Sequence, residues 1–500
     1  MKRIVSAALS VLTLLPLLAA CRQDSSPPSD SGSASAENAV SAEIPAPETE
    51  EDPVLSKYEV PDELPDGLDF KGESMRILHC DWDITTKEIY VEEDDGEILN
   101  SAIFARNALV QDRLNLKIVP TSSSDQQETL RHSVSSASDE FDLCGGYRYY
   151  AMTMATEGIL RNLFRIDYVD TSKPWWAKSF VEAATVGDKR FFLSGDGAIS
   201  MLYQMGVMFV DYPLYELYIG QIPDLYQLVL DGGWTLDKLS SMAEQVYEDK
   251  NGNGKRDMDD VYGYSSQTYA ALDFMVTAAD INWSETDADG NPQFSVNNEH
   301  TANFVERLYR LLYENKGAYA ATFENGRMNA VAVQFPEDRM MFMQKQAATA
   351  EMLRDMESDY AIIPCPKYDE AQTEYKTCVH DGMTVFCVPV TNDKHWEMTG
   401  AFLEAFFAES YRSVTEVYYE TLLKQKFARD PIAAEMLDIT KRGVSFDFVL
   451  LHSNSLNDCV HMIREIITEG SYDFASAWAG REKSLEKSLN KLVELYRAAE

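Results

Sequence analysis

The 500-residue sequence predicts an α/β protein made of mainly parallel sheets flanked by helices. Three observations carry this. Short β-branched or apolar runs alternate with helically periodic stretches from residue 75 onward, a second such set begins at residue 205, and the only long apolar run, residues 4–20, precedes both.

In order along the chain, Met75 to Cys80 reads as a strand, Ile98 to Leu114 as a helix and Leu116 to Pro120 as a strand. Asp125 to Ala137 then reads as a helix and Phe141 to Cys144 as a third strand. Right-handed crossovers make this βαβαβ order a parallel sheet. The second set starts with the apolar run Met205 to Val210 and continues with helices near Thr235 to Tyr247 and Thr301 to Tyr313. Asp287 to Pro292 reads as a hairpin turn. Later strands are expected at Tyr360 to Pro364 and Thr384 to Val390. The last helix, Phe474 to Ala499, sets Leu485, Leu489, Leu492 and Tyr496 on one face.

Charge narrows the partners. Forty-four Lys and Arg against 82 Asp and Glu give a net charge of -38, which repels a phosphate backbone and excludes a nucleic-acid partner. One apolar run cannot supply the helix bundle of a polytopic membrane protein.

That run has the grammar of an export signal: Met1, Lys2 and Arg3 are followed by an apolar core and a small-residue end. Leu18-Ala19-Ala20-Cys21 resembles the bacterial lipoprotein box. Residues 1–20 are therefore expected to be a lipoprotein signal peptide, with Cys21 lipidated and the mature chain held on the extracytoplasmic face of the bacterial cell membrane. Residues 21–70 are expected to be a disordered acidic tether. Positions 22–66 hold seven prolines, one aromatic residue and twelve acidic against two basic residues, too little apolar surface to offset ordering entropy. The other six cysteines form no CxxC pair.

Phosphate loops, dinucleotide fingerprints, zinc-protease motifs and nucleophile elbows are all missing from the sequence. One local motif is specific. From Asp249 to Asp260 oxygen-bearing side chains fall at EF-hand loop positions 1, 3, 5, 9 and 12 (Asp249, Asn251, Asn253, Asp257, Asp260), with Gly254 at position 6 and the carbonyl of Lys255 at position 7. A structural Ca2+ is expected there, with Asp rather than Glu at position 12.

Several segments in fixed order resemble the extracellular solute-binding proteins of carbohydrate ABC importers, the maltose-binding-protein-like family 1. They are Ser172 to Trp176, Gly187 to Phe192 with Gly195-Asp196, Gly233 to Leu239 before the Asx-rich loop, and Tyr360 to Asp369. Val379 to Gly382, Glu404, Ser410-Tyr411, Leu423 to Lys426 and Arg429-Asp430 complete the set. The resemblance implies a two-lobed periplasmic-binding-protein-like fold, with residues 71–194 and 338–382 in one lobe and 195–337 and 383–500 in the other. It also implies a non-catalytic, monomeric protein that captures an oligosaccharide between the lobes and delivers it to ABC permease subunits. A secreted carbohydrate-active enzyme and a glycan-sensing or surface-display protein stay open as alternatives.

Ligands of open parallel sheets sit beyond the carboxyl ends of strands, which points to Asp81 and Trp82 after the first strand and to the stretch Gly145 to Tyr149, with Tyr147 and Arg148, after the third. Trp82 can stack on a sugar face while Asp81 accepts from hydroxyls. Arg148 can pair with an acidic ligand or balance a neighbouring carboxylate. Trp175 and Trp176 can line the cleft or pack between lobe elements. Trp283 and Glu351, from positions where the family often meets its ligand, and Asp381, just before a strand, complete the candidate ligand contacts.

Overall fold

Alternation and turn chemistry place the first strands where the sequence puts them. The computed structural model describes residues 60–268, 270–321, 334–424 and 431–499. Signal peptide 1–20, Cys21 and the tether up to residue 59 lie outside the described residues. Residues 55–500 form one compact unit.

Strand β1 (Glu73–Cys80) lies between β2 (Leu116–Ser123) and β3 (Leu143–Tyr147), parallel to both. Ile77 and Leu78 are buried on opposite faces of β1, as a strand covered on both sides requires. Helix α1 (Asp83–Ile89) leaves β1 directly. Helix α2 (Ile98–Leu114) starts where the Glu97 carboxylate accepts from the Asn100 N–H at 2.9 Å and stops at Asn115, left-handed at φ 46°. Helix α3 (Gln126–Ser135) is capped by Asp125, which accepts from Glu128 N–H at 3.0 Å.

The second sheet has the order β6-β5-β7-β4-β8. Its strands are β4 (Gly206–Asp211), β5 (Val261–Gln267), β6 (Ala318–Ala321), β7 (Met340–Gln346) and β8 (Tyr360–Pro364). All six residues of β4 are buried, and it runs antiparallel to β7 and β8 while β5, β6 and β7 are mutually parallel. Strand β9 (Thr384–Cys387) returns to the first sheet, antiparallel to β3. The hairpin at Asp287 to Pro292 forms as expected, joining Ser284–Thr286 to Pro292–Phe294. The final helix runs Phe474–Ala498 with Leu485, Leu489, Leu492 and Tyr496 all buried.

Four expectations need correction. Residues 338–382 were assigned to the lobe of the first sheet and 383–500 to the other, yet β7 and β8 pair in the second sheet and β9 in the first. The helix Trp396–Glu409 likewise packs on α2. Apolar runs such as those of β7 and β8 show that a strand is buried but not which strand it meets. The helix expected to reach Tyr247 spans Leu236–Ala243, and Tyr247–Glu248 pairs with β5 instead. The strand expected to reach Val390 ends at Cys387. The end of the acidic tether is also ordered. Asp62 holds Arg113 through two hydrogen bonds of 2.6 and 2.8 Å, Arg412 reaches Asp62 at 3.1 Å and the Val60 carbonyl at 2.7 Å, and Leu64 is buried. Composition cannot foresee guanidinium partners some 50 and 350 positions away.

The chain passes between the sheets after helix α4 (Ile199–Tyr203) and again between β8 and β9. The two passages run side by side: Gly206 N–H donates to Cys378 O and His380 N–H to Gln204 O, each at 2.9 Å. Segment 443–445 lies alongside, with Thr377 N–H donating to Gly443 O at 2.8 Å. A Cβ on Gly382 would stand 2.9 Å from the Gln204 amide nitrogen, so glycine lets the passages approach.

Candidate ligand cleft

The carboxyl ends of β1 and β3 meet the second passage, and the candidate site is built there. Beyond β1, Thr85 Oγ1 donates to the carbonyls of Cys80 and Trp82 at 3.1 and 2.9 Å, fixing the turn that presents Trp82. Trp82 is 45% exposed, a large apolar surface left in water. Beyond β3, Tyr147, Tyr149 and Tyr150 project from one turn. Tyr147 lies 4.6 Å from Trp82 and 5.3 Å from Tyr150, ring centre to ring centre, and Tyr149 lies 5.0 Å from Tyr150. Tyr150 is 49% exposed.

Carboxylates orient this platform. Tyr147 Oη donates to Asp381 Oδ1 at 3.1 Å, and His380 Nδ1 stands 2.9 Å from the same oxygen. Burial opposes ionisation of Asp381, but the His380 imidazole, the Arg148 guanidinium and the Tyr147 hydroxyl together hold its carboxyl well below the usual carboxylate range. Tyr149 Oη is 3.0 Å from both oxygens of Asp458. Burial and that carboxylate push its hydroxyl up to about 12. Asp273, on the helix Ala271–Ala278 packed against β4 and β5, is paired with Arg464 at 2.7 Å. A cavity of about 400 Å³ opens between the rings of Trp82, Tyr147 and Tyr150 and the start of α3.

Of the sequence-predicted contacts, Trp82, Tyr147 and Asp381 come together, with exposed Asp81 beside them. Arg148 does not face the cleft. It is buried and donates to Leu450 O at 2.9 Å. Trp175 and Trp176 are 0% and 3% exposed, and Trp176 Nε1 donates to Glu404 at 3.1 Å while its ring stacks on Phe407 at 4.2 Å. Trp283 is buried, its N–H held by Asp447 at 3.0 Å. Glu351 accepts from Tyr203 Oη at the foot of the first passage. Packing claims the buried tryptophans because an indole satisfies a core as well as a ligand. The sequence reading missed Tyr150, His380 and Asp458. The run Tyr147-Arg-Tyr-Tyr150 just past a strand was a usable signal for Tyr150, whereas Asp458 comes from a distant turn with no local signature.

A larger cavity, about 550 Å³, lies between Trp175, Tyr411 and the segment Lys441 to Ser445. Three of its cations are engaged: Lys441 pairs with Asp196 at 2.7 Å, Lys376 with Glu374 at 2.9 Å and Arg442 with Glu435 at 2.8 Å. Exposed rings and available polar groups favour the smaller cavity despite its size.

In the Asx-rich loop, Gly252 and Gly254 turn at φ 67° and 68°. Asp249 Oδ2 accepts from Gly254 N–H at 2.8 Å, and Asn253 Oδ1 from Lys255 N–H at 2.6 Å. Asp249 Oδ1 and Asp260 Oδ1 are buried without a partner, as inward-facing cation ligands would be. Among the described residues no three His, Cys, Asp or Glu side chains converge by themselves, so a cation here would also need the asparagine and carbonyl oxygens.

No protein-family model and no curated protein sequence matches the chain. Solved structures do. The galacto-N-biose/lacto-N-biose I-binding protein of an ABC transporter from Bifidobacterium longum, in complex with lacto-N-biose, aligns with TM-score 0.54 and 13% identity over 85% of this chain and 98% of its own. The fold is that of the ABC-transporter substrate-binding proteins. The cyclic α-maltosyl-1,6-maltose-binding protein from Arthrobacter globiformis gives 0.54 and 14% over 84% of this chain and 99% of its own. An ABC substrate-binding protein from Listeria monocytogenes in complex with cycloalternan gives 0.52 and 13% over 84% and 99%.

Proposed function

We propose that this chain is an extracytoplasmic solute-binding lipoprotein that captures a carbohydrate, of oligosaccharide size, between its two sheets and delivers it to the permease subunits of an ABC transporter. The observation that carries this reading is the exposed Trp82 ring resting on Tyr147, whose hydroxyl is tied to Asp381 in a passage between the sheets. An exposed indole offers the flat apolar face that matches the C–H face of a pyranose, and ionised Asp381 and exposed Asp81 accept from ligand hydroxyls. Because Asp381 belongs to the passage, a sugar bonded to it would bias the angle between the sheets, and closure would report occupancy to the permease. The sugars named for the similar solved structures support the same class.

On this reading the chain binds without converting its ligand, acts as a monomer and is anchored through acyl chains on Cys21. The loop Asp249–Asp260 holds a structural Ca2+ through Asp249, Asn251, Asn253, Asp257, Asp260 and the Lys255 carbonyl, supported by the two partnerless buried carboxylate oxygens. A thermal-shift screen against a panel of oligosaccharides tests the ligand class. A rise in melting temperature with one of them, and its recovery unaltered after incubation, is expected. A shift only with peptides or polyamines, or hydrolysis of the sugar by the pure protein, would overturn the reading. Chelation with EDTA should lower the melting temperature by several degrees, and an unchanged melt would remove the calcium.

A further inference from the structure

The described residues hold six cysteines, all buried, and sugar capture as proposed above uses none of them. Two of the six face each other. Strand β9 runs antiparallel to β3 in a register that sets Cys387 directly opposite Cys144, so both side chains leave the same face of the sheet, and each is 0% exposed. Arg148 N–H donates to Met383 O at 2.9 Å, and the alternation of an antiparallel ladder from that rung makes Cys144 and Cys387 a hydrogen-bonded pair. Such a pair holds its Cα atoms about 5.5 Å apart, inside the roughly 4.4–6.8 Å that a disulfide spans.

The Cβ atoms of a hydrogen-bonded pair sit somewhat wider apart than those of a disulfide, so closure needs a local twist of the ladder. There is room for it. Cys387 is the last residue of β9, and Gly146, the next residue on the same face of β3, puts no side chain beside the Cys144 sulfur: a Cβ there would stand 3.9 Å from Sγ. The two thiols are already within hydrogen-bonding reach, and that contact together with burial pushes the Cys387 thiol up. Cys80, at the end of β1, stands opposite Ser123 instead. The places of the pair in the chain add a consequence. Cys144 precedes and Cys387 follows both passages and all of β4 to β8, so a bond between them would close a ring of chain that contains the whole second sheet. Tyr147 of the aromatic platform pairs with Thr384 in the same short ladder, so the bond would also hold the backbone under the site.

We propose that Cys144 and Cys387 are oxidised to a disulfide that staples β9 to β3 as the chain returns to the first sheet. The oxidant is a disulfide of the thiol-exchange class, which an extracytoplasmic compartment supplies. The Cys387 thiolate attacks one sulfur of that disulfide and expels the other as a thiolate; the Cys144 thiolate then attacks Cys387 Sγ in the mixed disulfide and expels the second sulfur. One Sγ–Sγ bond forms, the oxidant's S–S bond breaks, two electrons pass to the oxidant, and the two cysteine protons end on its thiols. Exchange precedes burial: both sulfurs are accessible before β9 docks and sealed from reductant afterwards. The inference rests on the extracytoplasmic placement proposed above for its oxidant, and not on the sugar.

Thiol counting by mass spectrometry tests it on the full chain, purified without reductant and alkylated with iodoacetamide in denaturant. Four of these six cysteines should be alkylated before reduction and all six after it, with peptide mapping joining the segments that carry Cys144 and Cys387. The same pattern is expected when the reduced chain is refolded in a buffer of oxidised and reduced glutathione. There the oxidant is supplied in the tube, so a failure condemns the bridge whatever compartment the cell gives the protein. Reduction should lower the melting temperature of the wild type by several degrees, because the bond closes a long loop, and should leave that of Cys387→Ala unchanged. The wild-type thiol count needs no variant, so a misfolded Cys387→Ala does not blunt the test. Six reactive thiols before reduction in either preparation, or a bridge that joins Cys365 to Cys378 in place of this pair, would overturn the inference. Neither result would touch the carbohydrate reading, which the oligosaccharide screen decides separately.

Discussion

Trp82 follows an apolar strand and Trp176 a Ser-Lys-Pro segment, and the sequence nominates both as ligand contacts. The fold treats them oppositely. Trp176 is buried: its ring stacks on Phe407 and its indole nitrogen donates to Glu404. Trp82 has one face on Tyr147 and nearly half its surface in water. The difference is one of completeness. A core tryptophan has both its ring and its nitrogen satisfied by the protein, while a ligand tryptophan is held in place and left unfinished. The same holds for the acids beside them. Glu404 is pushed up to about 8 by burial, whereas Asp381, although burial opposes it, is kept ionised by His380, Arg148 and Tyr147.

The largest expected effect breaks the comparison on its structural side. Trp176→Ala should destabilise the fold by roughly 3–5 kcal/mol, the usual range for emptying an aromatic core site, read from urea denaturation. A loss under about 1 kcal/mol would mean the indole is not part of the core. Next comes Trp82→Ala, which should leave stability within about 0.5 kcal/mol and cost roughly 2 kcal/mol of binding energy for the sugar found in the screen, as a central anchor does. Wild-type affinity in this variant would end its role as an anchor.

The third prediction concerns pH. Glu404 is neutral in the folded chain up to about 8, against a carboxyl that ionises near 4.5 when unfolded. Between these values the unfolded state holds fewer protons, so this group makes stability fall as pH rises, by at most about 1.4 kcal/mol per unit. Glu404→Gln should flatten that decline in melts taken from pH 5 to 8, and an unchanged slope would assign the dependence elsewhere. Asp381 has the opposite sign: its depressed value contributes stability above the normal carboxylate range that is lost as the solution is acidified through it. The smallest effect on binding is that of Asp381→Asn, which removes a charge-assisted acceptor and should weaken sugar binding by about 1 kcal/mol in calorimetry, while folding at neutral pH also loses the contribution of the ionised carboxylate.

Legibility followed the range of the interactions. Strand β1 and helix α2 were readable because period and caps are local, and α2 begins and ends where the sequence placed it. The partners of β7, β8 and β9 were not readable, since a buried strand advertises only that it is buried. In the site, the rule that ligands lie past strand ends found Trp82 and Tyr147, and its place just before a strand nominated Asp381. Neither could tell that Arg148 turns inward to Leu450, or that Asp458 arrives from a turn some 300 positions away to hold Tyr149.

A crystal structure of the protein with its saccharide tests the central claim most directly. The sugar ring is expected against Trp82, Tyr147 and Tyr150, with hydroxyl groups directed to Asp381. A saccharide lodged instead in the larger cavity between Trp175, Tyr411 and Lys441 would contradict the assignment.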